Sequence, residues 1–94
     1  MTIGIYSRVF KEEHAPYLLE LIKQLTQKNI SFQIYQEYYK SLPKQLALKK
    51  IDTFKHSADV KKNISLLLTL GGDGTLLDTL ELVRDSEIQV AGIN

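Results

Sequence analysis

Ile64-Ser65-Leu66-Leu67-Leu68-Thr69-Leu70-Gly71-Gly72-Asp73-Gly74-Thr75 is the stretch that decides the fold. An apolar run enters a turn with glycine at three of four positions, and Leu76 to Val83 then recurs at helical spacing. The order is strand, glycine turn carrying one carboxylate, helix. Residues without Cβ let a backbone approach a ligand and adopt positive φ. The helix that follows aims unpaired N–H groups and the positive end of its dipole into the turn, which suits phosphate. Asp73 stands against that preference, because it repels the anion that the amides attract. A carboxylate beside bound phosphates holds a metal ion or takes a proton from an attacking hydroxyl.

Working outward, Thr2 to Ser7 (TIGIYS) reads as a first strand. Pro16 suits the first turn of a helix, and Leu18, Leu21, Ile22 and Leu25 follow at helical spacing. Lys28 and Asn29 supply a stop. Ile30 to Tyr35 alternates as a second strand. In the middle, Ser41-Leu42-Pro43 is expected to open a short helix over residues 44–49, with Pro43 as its first residue. Ile51 and Phe54 then cap or extend it, and Ala58 to Asn63 is a loop or another helical turn. Ile64 to Leu70 is a third strand, apolar on both faces as a doubly covered parallel strand requires. The helix after the glycine turn runs to about Arg84, and Gln89 to Ile93 is a fourth strand. Strands alternating with helices predict an α/β fold: a doubly wound, mostly parallel sheet with flanking helices. Ligands of such sheets bind outside the carboxyl ends of the strands. Ser7-Arg8, Gly71 to Gly74 and Gly92 to Asn94 fall there.

With 94 residues and an apolar fraction of 44% the chain suffices for one domain. A net charge of +1 makes no electrostatic case for nucleic acid or an acidic membrane. Lysines 44, 49, 50, 55, 61 and 62 are interleaved with carboxylates and read as a solvated face. Cysteine is absent, which removes disulfides and thiolate chemistry and is compatible with the cytoplasm. Met1 to Phe10 lacks the basic start and long apolar stretch of a signal peptide, and no apolar run approaches the ~20 residues of a membrane span. There is no GxxxxGK[ST] loop and no GxGxxG fingerprint. His14 and His56 have no partner pattern, so no residue is assigned to a metal.

Gly71-Gly72-Asp73-Gly74-Thr75-Leu76-Leu77, with Gly92-Ile93-Asn94 after a further strand, resembles the GGDGTLL…GIN signature of NAD kinases. The resemblance is motif-specific over Ile64 to Asn94 and architectural elsewhere. GGDGT is shared with diacylglycerol-type lipid kinases, and phosphofructokinases carry a related GGDGS. Where family members often have Ala-Ala-Arg, this chain has Thr79, Leu80 and Glu81. The resemblance implies a Rossmann-like, phosphofructokinase-like N-terminal nucleotide-binding domain, spanning 1–94, of a longer cytoplasmic protein. That protein would have a β-rich C-terminal domain beyond this segment and form homo-oligomers. It implies transfer of the γ-phosphoryl of ATP, or of polyphosphate, to the 2′-hydroxyl of the adenosine ribose of NAD. A divalent metal such as Mg²⁺ is the implied cofactor. The 94-residue piece alone is expected to be inactive. The rival expectations are a lipid kinase and a non-catalytic flavodoxin-like nucleotide-binding module.

Each candidate residue has two readings. By resemblance, Asp73 accepts the ribose hydroxyl's proton; by local chemistry alone it caps the helix. Gly71, Gly72 and Gly74 bring the backbone close to nucleotide or simply form a tight turn. Thr75 contacts phosphate, or opens a loose capping box with Asp78 three residues on. Asn94 and Arg8 end strands at the cleft, as ligand contacts or as ordinary turn and surface residues. Leu76, Leu77 and Leu80 are expected in the core.

Overall fold

The structure, a computed structural model, describes residues 1–8, 10–43, 51–71, 73–83, 86 and 88–93, with the backbone alone at 57, 61, 73, 74, 76 and 81. Its elements are β1 (Thr2–Tyr6), a 3₁₀ turn (Glu12–His14), α1 (Ala15–Gln27), β2 (Ser31–Tyr35), α2 (Gln36–Ser41), β3 (Thr53–Phe54), α3 (Ser57–Asn63), β4 (Leu66–Leu70), α4 (Asp73–Val83) and β5 (Gln89–Ile93). The sheet has five strands in the order β3-β2-β1-β4-β5, and every neighbouring pair is parallel. The chain winds outward from β1 through β2 and β3, then crosses back to place β4 on the other side of β1. The expected doubly wound parallel sheet is therefore present, with its switch point between β1 and β4.

Alternation along the strands separates two cores. Ile3 and Ile5 of β1, Ile34 of β2 and Leu70 of β4 join Leu18, Ile22 and Leu25 of α1 and Tyr38 of α2. Tyr6 and Leu67 point to the opposite face, where Val60 of α3, Ile64, Phe54 and Val83 of α4 meet them. A period of two in the strands sends successive side chains to opposite faces. Gly4 belongs to the second face, where a Cβ would stand 2.8 Å from Ile64 Cδ1 and 2.9 Å from Leu67 Cδ1. That space is filled by its neighbours, so the first strand carries no side chain there.

Helix α1 has Pro16 in its first turn and buries Leu18, Ile22 and Leu25, with Leu21 half-buried. Lys28 follows it, and Asn29 turns left-handed at φ 56°, the stop its position signalled. The middle differs from the sequence reading. A helix forms over Gln36–Ser41, immediately after β2, and Pro43 follows its end. The helix expected over 44–49 lies outside the described residues. Thr53 and Phe54 are a strand rather than a helix extension: they pair with Ile34 and Tyr35. Two residues are too few to display alternation, and two adjacent tyrosines argue for strand as readily as for helix. Residues 57–63 take the helical alternative. Asp59 accepts N–H groups from Lys55 and His56 at 3.1 and 3.0 Å, which holds its carboxyl below the usual range.

The largest correction concerns α4. Leu77 and Leu80 are 65% and 59% exposed, not core. Among the described side chains of α4 the buried ones are Thr75, Thr79 and Val83, four residues apart. At about 100° per residue Leu77 lies on the far side of the helix from that stripe, and Leu80 lies on its flank. The leucines suggested the inward face because apolar periodicity is the strongest signal, but Thr75 and Thr79 share that face with Val83 and the half-buried Leu82. The side chain of Leu76 lies outside the described residues.

Between β4 and α4, Gly71 adopts φ 135°, and a Cβ there would stand 2.7 Å from Thr75 Oγ1. Gly71→Ala is therefore expected to cost about 1–3 kcal/mol, read as a lower midpoint in urea unfolding. A second expectation concerns Tyr38, which is fully buried with a hydroxyl that has no hydrogen-bond partner among the described residues. Burial pushes its phenol up to about 12. Since the unfolded phenol ionises near 10, the stability it contributes is intact below about pH 10 and is lost as pH rises from there toward the folded value. Tyr38→Phe should leave stability at pH 7 equal or higher by up to about 1 kcal/mol, and melting temperatures measured from pH 9 to 12 should fall less steeply.

Candidate active site at the switch point

The carboxyl ends of β1, β4 and β5 lie side by side, and the glycine turn rises from the middle one. Ser7, buried just after β1, donates its hydroxyl to the carbonyl of Leu70 at 2.6 Å. This bond ties the end of β1 to the residue before Gly71. On the other side, β5 runs in register with β4, pairing Leu70 with Ile93. The Gly71 N–H points to the Ile93 carbonyl at 3.4 Å. The described parts of the three segments named from the sequence thus converge: Ser7-Arg8, Gly71 at the start of the glycine turn, and Gly92-Ile93. Gly72 and Asn94 themselves lie outside the described residues.

Asp73 and Gly74 form the first residues of α4. The first turn of an α-helix presents N–H groups without intrahelical partners, with the dipole behind them. The cleft above the switch point therefore receives a positive helix end together with the backbone of Asp73. Thr75 is the third helical residue, not a cap, because the helix begins two positions earlier. Its buried side chain lies beneath Gly71. Thr75 and Thr79 are buried on α4, and Ser7 and Thr69 are buried at the carboxyl ends of β1 and β4.

Asp78 does not complete a capping box. Its carboxylate faces the end of β1 and receives Arg8 in a two-point ion pair: Nη2 donates to Oδ1 at 2.9 Å, and Nε donates to Oδ2. The Tyr6 hydroxyl also donates to Oδ2, at 3.1 Å. Arg8, first, and the Tyr6 hydroxyl hold the Asp78 carboxyl below its ordinary range. Burial, and then the Asp78 carboxylate, push the Tyr6 phenol above its own range. Tyr6 continues into a ladder of rings, with its centroid 4.7 Å from Tyr35, which lies 5.6 Å from Phe54. Arg8 keeps 57% of its side chain exposed at the cleft although it is paired. Sequence reasoning placed Arg8 at the cleft but missed its partner. Seventy positions separate Arg8 from Asp78, and no local pattern links them.

Among the described residues no three His, Cys, Asp or Glu side chains come together to hold a metal. The described residues do not by themselves make a protein-held divalent-ion site. Nor is any described helix long and apolar enough to cross a membrane.

A family model described as the ATP-NAD kinase N-terminal domain matches residues 3–94. An NAD kinase of Cytophaga hutchinsonii is 34% identical over 96 residues, covering 100% of this chain and 32% of the relative. An NAD kinase of Christiangramia forsetii is 30% identical over 97 residues, again covering 100% of this chain and 32% of the relative. A bifunctional NADP phosphatase/NAD kinase of Methanococcus maripaludis is 32% identical over 91 residues, 97% of this chain and 15% of that protein. The chain thus spans about a third of the length of the first two relatives. The family match runs from the first strand to the last residue, well beyond the glycine motif that suggested it, and the chain belongs to the ATP-NAD kinase N-terminal domain family.

Proposed function

We propose that the protein carrying this chain is a phosphotransferase that moves the γ-phosphoryl of ATP, or of polyphosphate, to the 2′-hydroxyl of the adenosine ribose of NAD, yielding NADP. The observation that carries this reading is the position of Asp73. It opens α4 at the switch point of a parallel sheet, in a chain belonging to a family whose relatives are named NAD kinase. In this reading the Asp73 carboxylate accepts the ribose hydroxyl's proton as the oxygen attacks phosphorus. The backbone of Gly71, Gly72 and Gly74 and the first-turn N–H groups of α4 approach phosphate or ribose. Thr75, Asn94 and the exposed guanidinium of Arg8 contribute further nucleotide contacts. Catalysis then rests chiefly on positioning and on charge neutralisation. A divalent ion such as Mg²⁺ would supply part of that neutralisation when it arrives with the phosphates.

The same reading makes residues 1–94 one wall of the active site. The other wall belongs to a β-rich domain in the part of the protein that the relatives' greater length supports. Cytoplasmic location and assembly into homo-oligomers go with it.

Asp73→Asn in the full-length protein is the direct test, since asparagine keeps the size and shape of the side chain but cannot take a proton. With NAD, ATP and Mg²⁺, NADP formation should fall by about 10²–10⁴-fold while the melting temperature holds. Retained turnover would remove Asp73 from the role of base. For the 94-residue chain alone, titration calorimetry with NAD should show weak binding or none. Tight binding would contradict a site shared between two domains.

A further inference from the structure

Asp78 and its two partners join elements that the fold does not otherwise need to join. Arg8 and Tyr6 belong to the end of β1 and Asp78 to the second turn of α4, on the face toward the sheet's carboxyl edge. The remaining α4 contacts are of a different kind: buried Thr75, Thr79 and Val83 pack inward, and packing of that sort resists separation better than it resists sliding or rotation of the helix. A two-point guanidinium–carboxylate pair constrains both direction and distance. Tyr6 is itself held by Tyr35, which is held against Phe54. The carboxylate therefore docks against a rigid ring ladder.

We propose that Asp78 is a positioning residue: clamped by Arg8 and Tyr6, it sets where the first turn of α4, and with it Asp73, stands over the ends of β1 and β4. The inference rests on the phosphotransfer reading above for its consequence in catalysis, but the clamp itself is a property of the fold. Asp73 lies five residues before Asp78 on the same helix, about 7–8 Å along the axis. A small rotation at Asp78 thus displaces the backbone that carries Asp73. Misplacement by about 1 Å can cost of order 10²-fold in rate. The pair also keeps the Arg8 guanidinium from ranging freely through solvent and holds it at the cleft edge. None of the three side chains transfers a proton or contributes a bond in this role.

The test uses the full-length protein with Asp78→Ala, Asp78→Asn and Tyr6→Phe. Steady-state kinetics is measured with NAD and ATP varied separately, and amide hydrogen exchange is followed by mass spectrometry. Asp78→Ala should lower kcat by about 10–100-fold, with KM for NAD changing by less than about threefold and the melting temperature nearly unmoved. Asp78→Asn keeps an acceptor for Tyr6 and should recover part of kcat; Tyr6→Phe should fall between. Exchange in the segment from Gly71 to Asp78 should quicken about tenfold in Asp78→Ala, while β1, β2 and α1 stay protected. An Asp78→Ala enzyme with kcat within about twofold of the parent would overturn the positioning role and leave the kinase reading standing. If the parent makes no NADP, the kinase reading fails, and exchange alone decides the clamp: quickening confined to that segment supports it, and unchanged exchange overturns it.

Discussion

The side-by-side hold of β1 and β4 is the constraint on which the rest of this structure depends. These strands are far apart in sequence, and the chain reaches the second only after winding out through β2 and β3 and back. Once they pair, with Ile3 against Leu66 and Tyr6 against Thr69, their carboxyl ends must open onto a common crevice. The Ser7 hydroxyl on the Leu70 carbonyl fastens that junction at the point where the backbone leaves the sheet. Gly71 then turns at a φ that side-chain-bearing residues avoid. Helix α4 starts at the switch point because the strand before it ends there.

Two kinds of force hold that helix, and they do different things. The apolar face supplied by Val83, with Leu67, Ile64 and Val60 opposite, removes surface from water and is indifferent to small shifts. The polar contacts near the start of α4 are directional. Thr75 and Thr79 are buried on the inward side of α4, while Ser7 and Thr69 are buried at the carboxyl ends of β1 and β4. Asp78 then adds a charged bond to a strand that α4 does not adjoin in sequence. A two-point charged bond fixes direction as well as distance. Leu77 and Leu80 are left on the outside, on a helix flank that the described residues leave exposed.

Much of the architecture was legible along the chain. The twice-apolar run before Gly71 announced a parallel strand covered on both faces, and the alternation of strand and helix patterns announced the doubly wound sheet. Helix α1 carried its own punctuation, Pro16 at one end and Asn29 at the other. The short elements were not legible. Thr53 and Phe54 become a strand only because β2 offers an edge to them, and Gln36–Ser41 is helical with Tyr38 buried in a core assembled from four other elements. Of the candidate site, the glycine turn and its order between strand and helix could be seen in the residues themselves. The Tyr6–Asp78–Arg8 cluster could not, since its members lie some seventy positions apart and each looks unremarkable locally.

By itself the sequence determined the kinds of element, their order, and the chemistry placed at the ends of the strands: a carboxylate among glycines ahead of a helix, and a family resemblance that the whole chain sustains. Those properties follow from backbone sterics, periodicity and local capping, which act over a few residues. Only the tertiary structure decided which strand ends become neighbours, which face of α4 turns inward, and which charge answers Arg8. Those depend on closing long loops and on competition for the same buried surface. Hydrophobic pattern alone favoured Leu77 and Leu80 for the inward face of α4; packing against the sheet buried Thr75, Thr79 and Val83 and left those two leucines outside.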